Sequence, residues 1–152
     1  MRRFLLDTNI CLAFIRAHPV YNHIEKELNL RADDAISIIS VVTKAELLSL
    51  GKRNGWGKTK LAKLNQLLEK LVIIDINNSD QKLLEAYYTI DAYSQGKLAN
   101  KPLNDSAKNM GKNDLWIAAT TYVTHAELIT TDGDFDHLSG EFFKVHKYSY
   151  NS

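Results

Sequence analysis

The sequence predicts an α/β fold. Short apolar runs alternate along the chain with longer segments whose apolar residues recur every three or four positions. The short runs have the length of strands, and the longer segments have the period of helices packed on a core. Strands that alternate with helices form parallel βαβ units, because the helix carries the chain back across the sheet. We therefore expect a mainly parallel sheet covered by helices.

Five short runs with several apolar residues each are predicted as strands. They lie at 3–6, 35–39, 72–76, 128–131 and 142–146. Each is four or five residues long and is bounded by polar or turn-forming residues, which favours a strand over a buried helix.

Helices are predicted in the longer segments, with recognisable ends. Thr8 and Asn9 are candidate caps for the first helix, Ser40 for the third, and Asn78 with Ser79 for the fifth. Gly51 is expected to end the third, because glycine is favoured just past a helix end. The predicted helices cover 9–17, 20–30, 41–50, 59–71, a segment reaching about residue 96, and 114–125.

One segment, 94–113, is too polar and too interrupted for a core element. It contains Gly96, Pro102 and Gly111 among several asparagine, lysine and serine residues. We predict a surface loop there.

Length and composition indicate one domain over 1–152. The chain has 152 residues, 45% of them hydrophobic, which is enough to bury a core. Nineteen basic and eighteen acidic residues give a net charge of +1, so a charged site must arise from local segregation. The single cysteine, Cys11, excludes an internal disulfide and favours a cytoplasmic location. No apolar run is long enough to span a membrane, and the first residues lack a leader cleavage site, so we expect no membrane association.

Two acidic residues follow predicted strands directly. Asp7 comes after 3–6, and Asp132 comes after 128–131. Residues just past the carboxyl ends of parallel strands face one shared crevice, so these two acids can converge although they are far apart in sequence. A charge next to a buried strand is costly unless it is paired, which argues against Asp7 being only a turn residue.

Three further acids are candidates for the same site. Glu46 lies in an otherwise apolar helical segment, where its neighbour Lys44 points elsewhere. Asp114 begins a helix and is also explained by the attraction of an acid to the positive helix end. Asp134 belongs to an acidic turn with Asp132, whose spacing does not fit a calcium-binding loop. Together the five carboxylates predict a site for a hard divalent cation, because close carboxylates repel one another and such an ion relieves the repulsion.

Basic residues cluster in two places that could border this site. Lys52, Arg53 and Lys58 surround Trp56, whose ring could stack on an unpaired base while the cations meet phosphates. The same residues are also explained as the solvated face of a helix and as packing between helices. In the polar segment, Lys108 and Lys112 run up to Asp114. Both groups are candidates for RNA binding.

Four blocks of sequence, in this order and spacing, resemble the PIN-domain nucleases and specifically the VapC-type toxins of bacterial toxin–antitoxin pairs. They are Leu5-Leu6-Asp7-Thr8-Asn9, Thr43-Lys44-Ala45-Glu46-Leu47, Gly111 to Ala119, and Thr130-Thr131-Asp132-Gly133-Asp134-Phe135. The resemblance spans nearly the whole chain. It implies a three-layer α/β/α sandwich with a central sheet of four or five strands. The polar segment before Gly111 is longer than in the most compact members.

The resemblance also implies chemistry and partners. Asp7, Glu46, Asp114 and Asp132 would be catalytic and would bind one or two Mg²⁺ or Mn²⁺ ions, with Asp134 as an auxiliary ligand. The residues implied to support the site by hydrogen bonds are Thr8, Asn9 and Thr131. The reaction implied is cleavage of RNA by metal-activated water. A cognate antitoxin and a second copy of the chain are the implied partners.

Two other function classes remain open at this stage. A haloacid-dehalogenase-like phosphohydrolase also starts with an Asp at the end of a strand, but it needs a second acid two residues later, where this chain has Asn9. A non-catalytic RNA-binding or regulatory module could keep the same fold, and would be expected to lose one or more of the acids.

Overall fold

A five-stranded parallel sheet forms the centre of the protein, as predicted. The structure, a computed structural model, describes residues 1–151. The sheet order is β3-β2-β1-β4-β5, and every neighbouring pair is parallel. The strands are β1 Arg2–Leu6, β2 Ala35–Ser40, β3 Val72–Ile74, β4 Glu127–Thr130 and β5 Val145–Lys147. Because β1 and β4 are neighbours, the residues that follow them in sequence are brought to the same edge.

Helices cover both faces of the sheet. They are α1 Thr8–Ile15, α2 Pro19–Leu28, α3 Val41–Arg53, α4 Lys58–Lys70, α5 Gln81–Ser94 and α6 Lys112–Val123, and a short 3₁₀-helix spans Gly133–Leu138. Successive strand residues point to opposite faces. Accordingly, Phe4 and Leu6 pack with α1, α2, α3 and α4, whereas Leu5 packs with α5, α6 and the 3₁₀-helix. The result is the three-layer α/β/α arrangement.

Gly51 does not end α3, contrary to the prediction. The helix continues to Arg53, and Gly51 is buried within it. A Cβ atom at this position would lie 3.0 Å from the Trp56 ring. Glycine therefore serves close packing of helix against indole here, and not a helix end.

Two predicted helix starts are also wrong. The helix α5 is capped by Asp80, whose Oδ1 accepts a hydrogen bond from the Leu83 amide at 3.1 Å, so Asn78 and Ser79 lie outside it. The helix α1 is capped by Asp7, and not by Thr8 or Asn9, which are its first residues. A cap requires an acceptor side chain just before the helix that binds a free amide of its first turn, and both aspartates provide it.

The predicted surface loop over 94–113 is wrong at both ends. Ser94 is the last residue of α5 and is fully buried, Met110 is 7% exposed, and α6 already begins at Lys112. Between them, 97–111 contains neither helix nor strand. The apolar side chain of Met110 packs with the core that includes α5 and α6, which draws the end of the segment inward.

The last strand was placed too early in the sequence. It spans Val145–Lys147, whereas 142–146 was expected. Phe142 and Phe143 pack with the core of α5 and α6 just before the strand begins, which explains their apolar signal.

Candidate metal centre

Asp7 is the most buried acid of the candidate site. It follows β1 and is 5% exposed. Its Oδ1 accepts the Thr8 amide hydrogen at 2.8 Å, and its Oδ2 accepts the Thr130 hydroxyl hydrogen at 2.7 Å. Burial raises the pKa of Asp7 above its usual range, and the charges of Asp132 and Glu46 raise it further, while the two hydrogen bonds oppose the shift. The carboxylate is thus fixed in place and has lone pairs left for a cation.

The hydroxyl that supports Asp7 belongs to Thr130. The family resemblance implied the next residue, Thr131, as a supporting residue of the site. Thr130 is fully buried, and its Oγ1 also accepts the Asp132 amide hydrogen at 2.9 Å. The Thr130 hydroxyl therefore links Asp7 to the segment that carries Asp132. Thr131 is half-buried and lies just past the end of β4. The end of β4 beside β1 is the signal that could have identified Thr130.

Glu46 reaches the site from α3. The Thr8 hydroxyl donates a hydrogen bond to Glu46 Oε1 at 2.9 Å and lies 3.2 Å from the Thr43 hydroxyl. Thr43 is fully buried, one turn before Glu46 on the same helix. Thr8 thus orients a carboxylate from another element, as expected of a supporting residue, and Thr43 is a supporting residue that sequence reasoning missed.

Asp114, Asp132 and Asp134 form a close trio. One carboxylate oxygen of each lies within 4.8 Å of the others. Asp114 is in the first turn of α6, and Asp132 caps the 3₁₀-helix by accepting the Asp134 amide hydrogen at 2.9 Å. Burial, followed by repulsion from Asp7, Asp132, Asp134 and Glu46, raises the pKa of Asp114 to about 7. The five acids therefore act on one another electrostatically.

A single cleft collects these side chains. Its volume is about 650 Å³. The four predicted catalytic acids line it, together with Thr8 and the exposed Asn9. The other lining residues are Leu12, Val42, Ala45, Ser49, Leu50, Arg53 and Asn113. Asp136, the last acid of the turn, stands apart, because its Oδ2 accepts a hydrogen bond from Lys147 Nζ at 2.6 Å.

The candidate RNA-binding residues lie in different environments. Arg53 lines the cleft. The side chains of Lys52, Lys58 and Lys112 are exposed and Lys108 is half-buried, and none of these four is part of the cleft wall. The prediction that Trp56 stacks on a base is wrong. Trp56 is 8% exposed and packs in the core of α1 to α4, so its ring is not accessible to a base.

The donor set suits a hard divalent cation. The five acids offer carboxylate oxygens, which are the ligands that Mg²⁺ and Mn²⁺ prefer. Ligand oxygens around Mg²⁺ lie about 3 to 4.2 Å apart, which follows from a metal–oxygen distance of about 2.1 Å. The separation of the trio is close to this range, so a small adjustment of side chains is sufficient.

Comparison with known proteins identifies the family. A family model of the PIN domain matches residues 4–141. The chain belongs to the PIN-domain family. This PIN domain is 31% identical over 131 residues to the ribonuclease VapC2 of Rickettsia felis, and the match covers 85% of the chain and 86% of the relative.

Solved structures share the fold over almost the full length. VapBC2 of Rickettsia felis, bound to a DNA fragment from its promoter, has a TM-score of 0.72 at 24% identity, covering 97% of this chain and 99% of that one. VapBC-1 of nontypeable Haemophilus influenzae has a TM-score of 0.67 at 21% identity, covering 99% of both chains. VapBC-5 of Mycobacterium tuberculosis, a member of the VapBC family of toxin–antitoxin systems, has a TM-score of 0.59 at 20% identity, covering 97% of this chain and 100% of that one.

The family match removes support for the haloacid-dehalogenase alternative. Asn9, which occupies the position where that chemistry needs a second acid, lies exposed at the cleft wall. Within residues 1–151, no helix has the length and apolarity that crossing a membrane requires.

Proposed function

We propose that this PIN domain is a divalent-metal-dependent endoribonuclease and the toxin of a toxin–antitoxin pair. The observation that carries the proposal is the convergence of Asp7, Glu46, Asp114 and Asp132 on one cleft, with Asp134 beside it. The reaction is hydrolysis of an RNA phosphodiester bond with Mg²⁺ or Mn²⁺, bound as one or two ions. The relationship to the VapC2 ribonuclease supports the same activity.

The acids have different parts in this reaction. Asp7 and Asp132 would hold the ion, and Glu46 and Asp114 would complete the site or orient the attacking water. When bound, the ion activates water and offsets the charge that develops on the phosphate oxygens. Without the ion, burial and the neighbouring acids raise the pKa of Asp114 to about 7, and a bound cation would lower it again by neutralising that repulsion. The Thr8 hydroxyl keeps Glu46 turned towards the cleft.

A non-catalytic RNA-binding module is the less supported alternative. Such a module has no need of a costly cluster of carboxylates, and loss of one or more acids would relieve the repulsion within it. All five acids are present here, and the hydroxyls of Thr8 and Thr130 hold Glu46 and Asp7 in position.

Removal of metal is the direct test of the function. We expect the purified protein to cleave single-stranded RNA with added Mn²⁺ or Mg²⁺ and to stop when EDTA removes the ion. Cleavage is measured by gel analysis of RNA labelled at its 5′ end, and the new ends are mapped by sequencing. Equal cleavage with EDTA, or Mn²⁺ binding with no cleavage of any RNA tested, would contradict the proposal.

RNA is the substrate class that the cleft suits, and Arg53 is its candidate phosphate contact. Among the described residues, it is the one cationic side chain in the cleft wall. It lies seven residues after Glu46 on α3, which places both on the same face of the helix. RNA brings a phosphate on each side of the scissile one, and a guanidinium at the cleft wall can bind one of them with two hydrogen bonds.

Replacing Arg53 with alanine is expected to raise the KM for RNA about tenfold and to change kcat little. The reason is that the lost contact is made to a phosphate that does not react. The dependence of log binding affinity on log salt should also become shallower by about 0.7, the contribution of one phosphate contact on a single strand. Cleavage rates at several salt concentrations measure both effects.

Lys52→Ala is the matched control, because Lys52 is the adjacent cation on α3 but is exposed outside the cleft. It should leave KM within about twofold of wild type. An equal rise of KM in both variants would indicate only a general effect of charge.

The partners of this chain are also proposals. The structural relatives include a member of the VapBC family of toxin–antitoxin systems, and we propose a cognate antitoxin for this chain and a homodimer of it. Cleavage of cellular RNA by such a toxin would inhibit translation, and its place of action would be the cytoplasm.

A further inference from the structure

A buried polar contact outside the cleft joins α5 to the turn that carries the acids. Ser94, which is fully buried, has its Oγ 2.7 Å from Nε2 of His137. The His137 ring is parallel to the Tyr93 ring within 4°, with centroids 6.3 Å apart. The Ser94 hydroxyl is fully buried and the His137 ring is half-buried, and a hydroxyl taken out of water needs a hydrogen-bond partner, so the contact favours one arrangement of the two segments.

Ser94 also holds the segment that leads to Asp114. Its hydroxyl donates a hydrogen bond to the Met110 sulfur at 3.3 Å, and its carbonyl accepts the Lys108 amide hydrogen at 2.7 Å. Met110 is buried four residues before Asp114, immediately ahead of the start of α6. Ser94 thus contacts the segment that leads into α6 at two points, Lys108 and Met110.

His137 belongs to the 3₁₀-helix that follows Asp132. Asp132 caps this helix through the Asp134 amide, and two of its other side chains, Phe135 and Leu138, are fully buried. Phe135 and Leu138 thus anchor this short helix in the core, and His137 lies on it three residues after Asp134. The Ser94 hydroxyl therefore contacts both the segment before Asp114, at Met110, and the turn that carries Asp132 and Asp134, at His137.

We propose that Ser94 and His137 are positioning residues that hold Asp114 at the separation from Asp132 and Asp134 that a divalent cation requires. This inference rests on the metal-binding part of the proposed function. Neither residue lines the cleft. They act through the trio of acids, in the same way that outer hydrogen-bond partners tune metal ligands elsewhere.

The chemistry of the contact suggests a conservative replacement. When the Ser94 hydroxyl donates to the Met110 sulfur, the hydrogen on Nε2 of His137 donates to the Ser94 oxygen. Nδ1 of His137 is buried without a hydrogen-bond partner in the described part of the chain. Glutamine can place an amide NH₂ near the position of Nε2, so it can restore the bond to Ser94, whereas phenylalanine keeps the ring and loses the bond.

Ser94→Ala and His137→Phe are expected to weaken Mn²⁺ binding about tenfold, which is the usual loss when an outer partner of a metal ligand is removed. His137→Gln should bind within about threefold of wild type, and this rescue should disappear when Ser94→Ala is added. Mn²⁺ affinity is measured by isothermal titration calorimetry, and free Mn²⁺ by electron paramagnetic resonance. Neither readout depends on catalysis.

Thr121→Val is the control for a merely structural effect. Thr121 is fully buried on α6, and its hydroxyl donates to the Ile117 carbonyl at 2.8 Å without contact to the acidic turn. It should lower the melting temperature but leave Mn²⁺ affinity unchanged. Equal affinity in Ser94→Ala, His137→Phe and wild type would overturn this inference alone, as would an equal loss in Thr121→Val. Absence of Mn²⁺ binding by the wild type would overturn the proposed function as well.

Discussion

Replacement of Asp7 by asparagine is expected to reduce metal-dependent RNA cleavage at least about a hundredfold in a protein that remains folded. The substitution removes one charge from the proposed ion-holding pair, and loss of an outer partner alone costs about 10- to 100-fold in metal affinity or activity. Folding should survive for two reasons. Asparagine also caps helices, and burial already raises the pKa of the Asp7 carboxyl, so the folded state gains from a neutral group there.

The measurement is kcat/KM on a 5′-labelled single-stranded RNA with saturating Mn²⁺, together with the melting temperature in EDTA. Asp75→Asn is the matched control. Asp75 also follows a strand, β3, but it is exposed at the edge of the sheet and is not part of the cleft wall. Its activity should equal that of the wild type. Wild-type turnover by a folded Asp7→Asn variant would contradict the assignment of Asp7 as an ion ligand.

The convergence of the acids could be foreseen because it follows from chain direction. Parallel strands place their carboxyl ends at one edge, so the residues after β1 and β4 had to meet once these strands were neighbours. The Asp7 amide indeed bonds to the carbonyl of Ile129, the partner of Leu6 across the sheet. The presence of Glu46 and Asp114 at the site was harder to predict, because it depends on how far the helices that carry them extend towards that edge of the sheet.

What the sequence could not provide was the direction of individual side chains. Trp56 sits among lysines in sequence, yet its ring packs against Gly51, because the missing Cβ of the glycine leaves space for it. Thr130 and Thr131 are chemically identical, and which one meets Asp7 depends on where β4 ends and on its register with β1. Polarity patterns report average environment, whereas these outcomes depend on the pairing of particular side chains across elements.

The polar segment shows the same limit in another form. Its composition correctly excluded helix and strand from 97–111, but the two residues that fix its ends, Ser94 and Met110, carry no sequence signal of burial that distinguishes them from loop residues. A serine is buried only when a partner satisfies its hydroxyl, and that partner, His137, is 43 residues away in sequence.

The second large effect concerns Asp114, for which opposite changes of stability are expected with and without metal. In EDTA at pH 8, Asp114→Asn should melt a few degrees above the wild type, because it removes a half-buried charge that four other acids repel. With millimolar Mn²⁺ the order should reverse. Ligand binding stabilises the folded state by RT ln(1 + [L]/Kd), and the variant binds the ion less tightly.

The pH dependence separates this explanation from an ordinary packing effect. The folded-state pKa of Asp114 is raised to about 7 from 3.8, so the folded protein holds this proton more tightly than the unfolded chain. The destabilisation is therefore absent below about pH 4, grows as the pH rises, and is complete above about pH 7. The advantage of Asp114→Asn in EDTA should shrink in the same way as the pH falls from 8 to 4.

Melting curves in EDTA and in Mn²⁺ at each pH provide the measurement, with Asp33→Asn as control. Asp33 is exposed in the turn before β2, outside the acidic cluster, and its replacement should change neither curve. A constant advantage of Asp114→Asn at every pH would assign the effect to packing and would refute the electrostatic coupling. A constant advantage that persists in Mn²⁺ would further mean that Asp114 has no part in holding the ion, since a ligand cannot be removed without loss of the stabilisation that its binding provides.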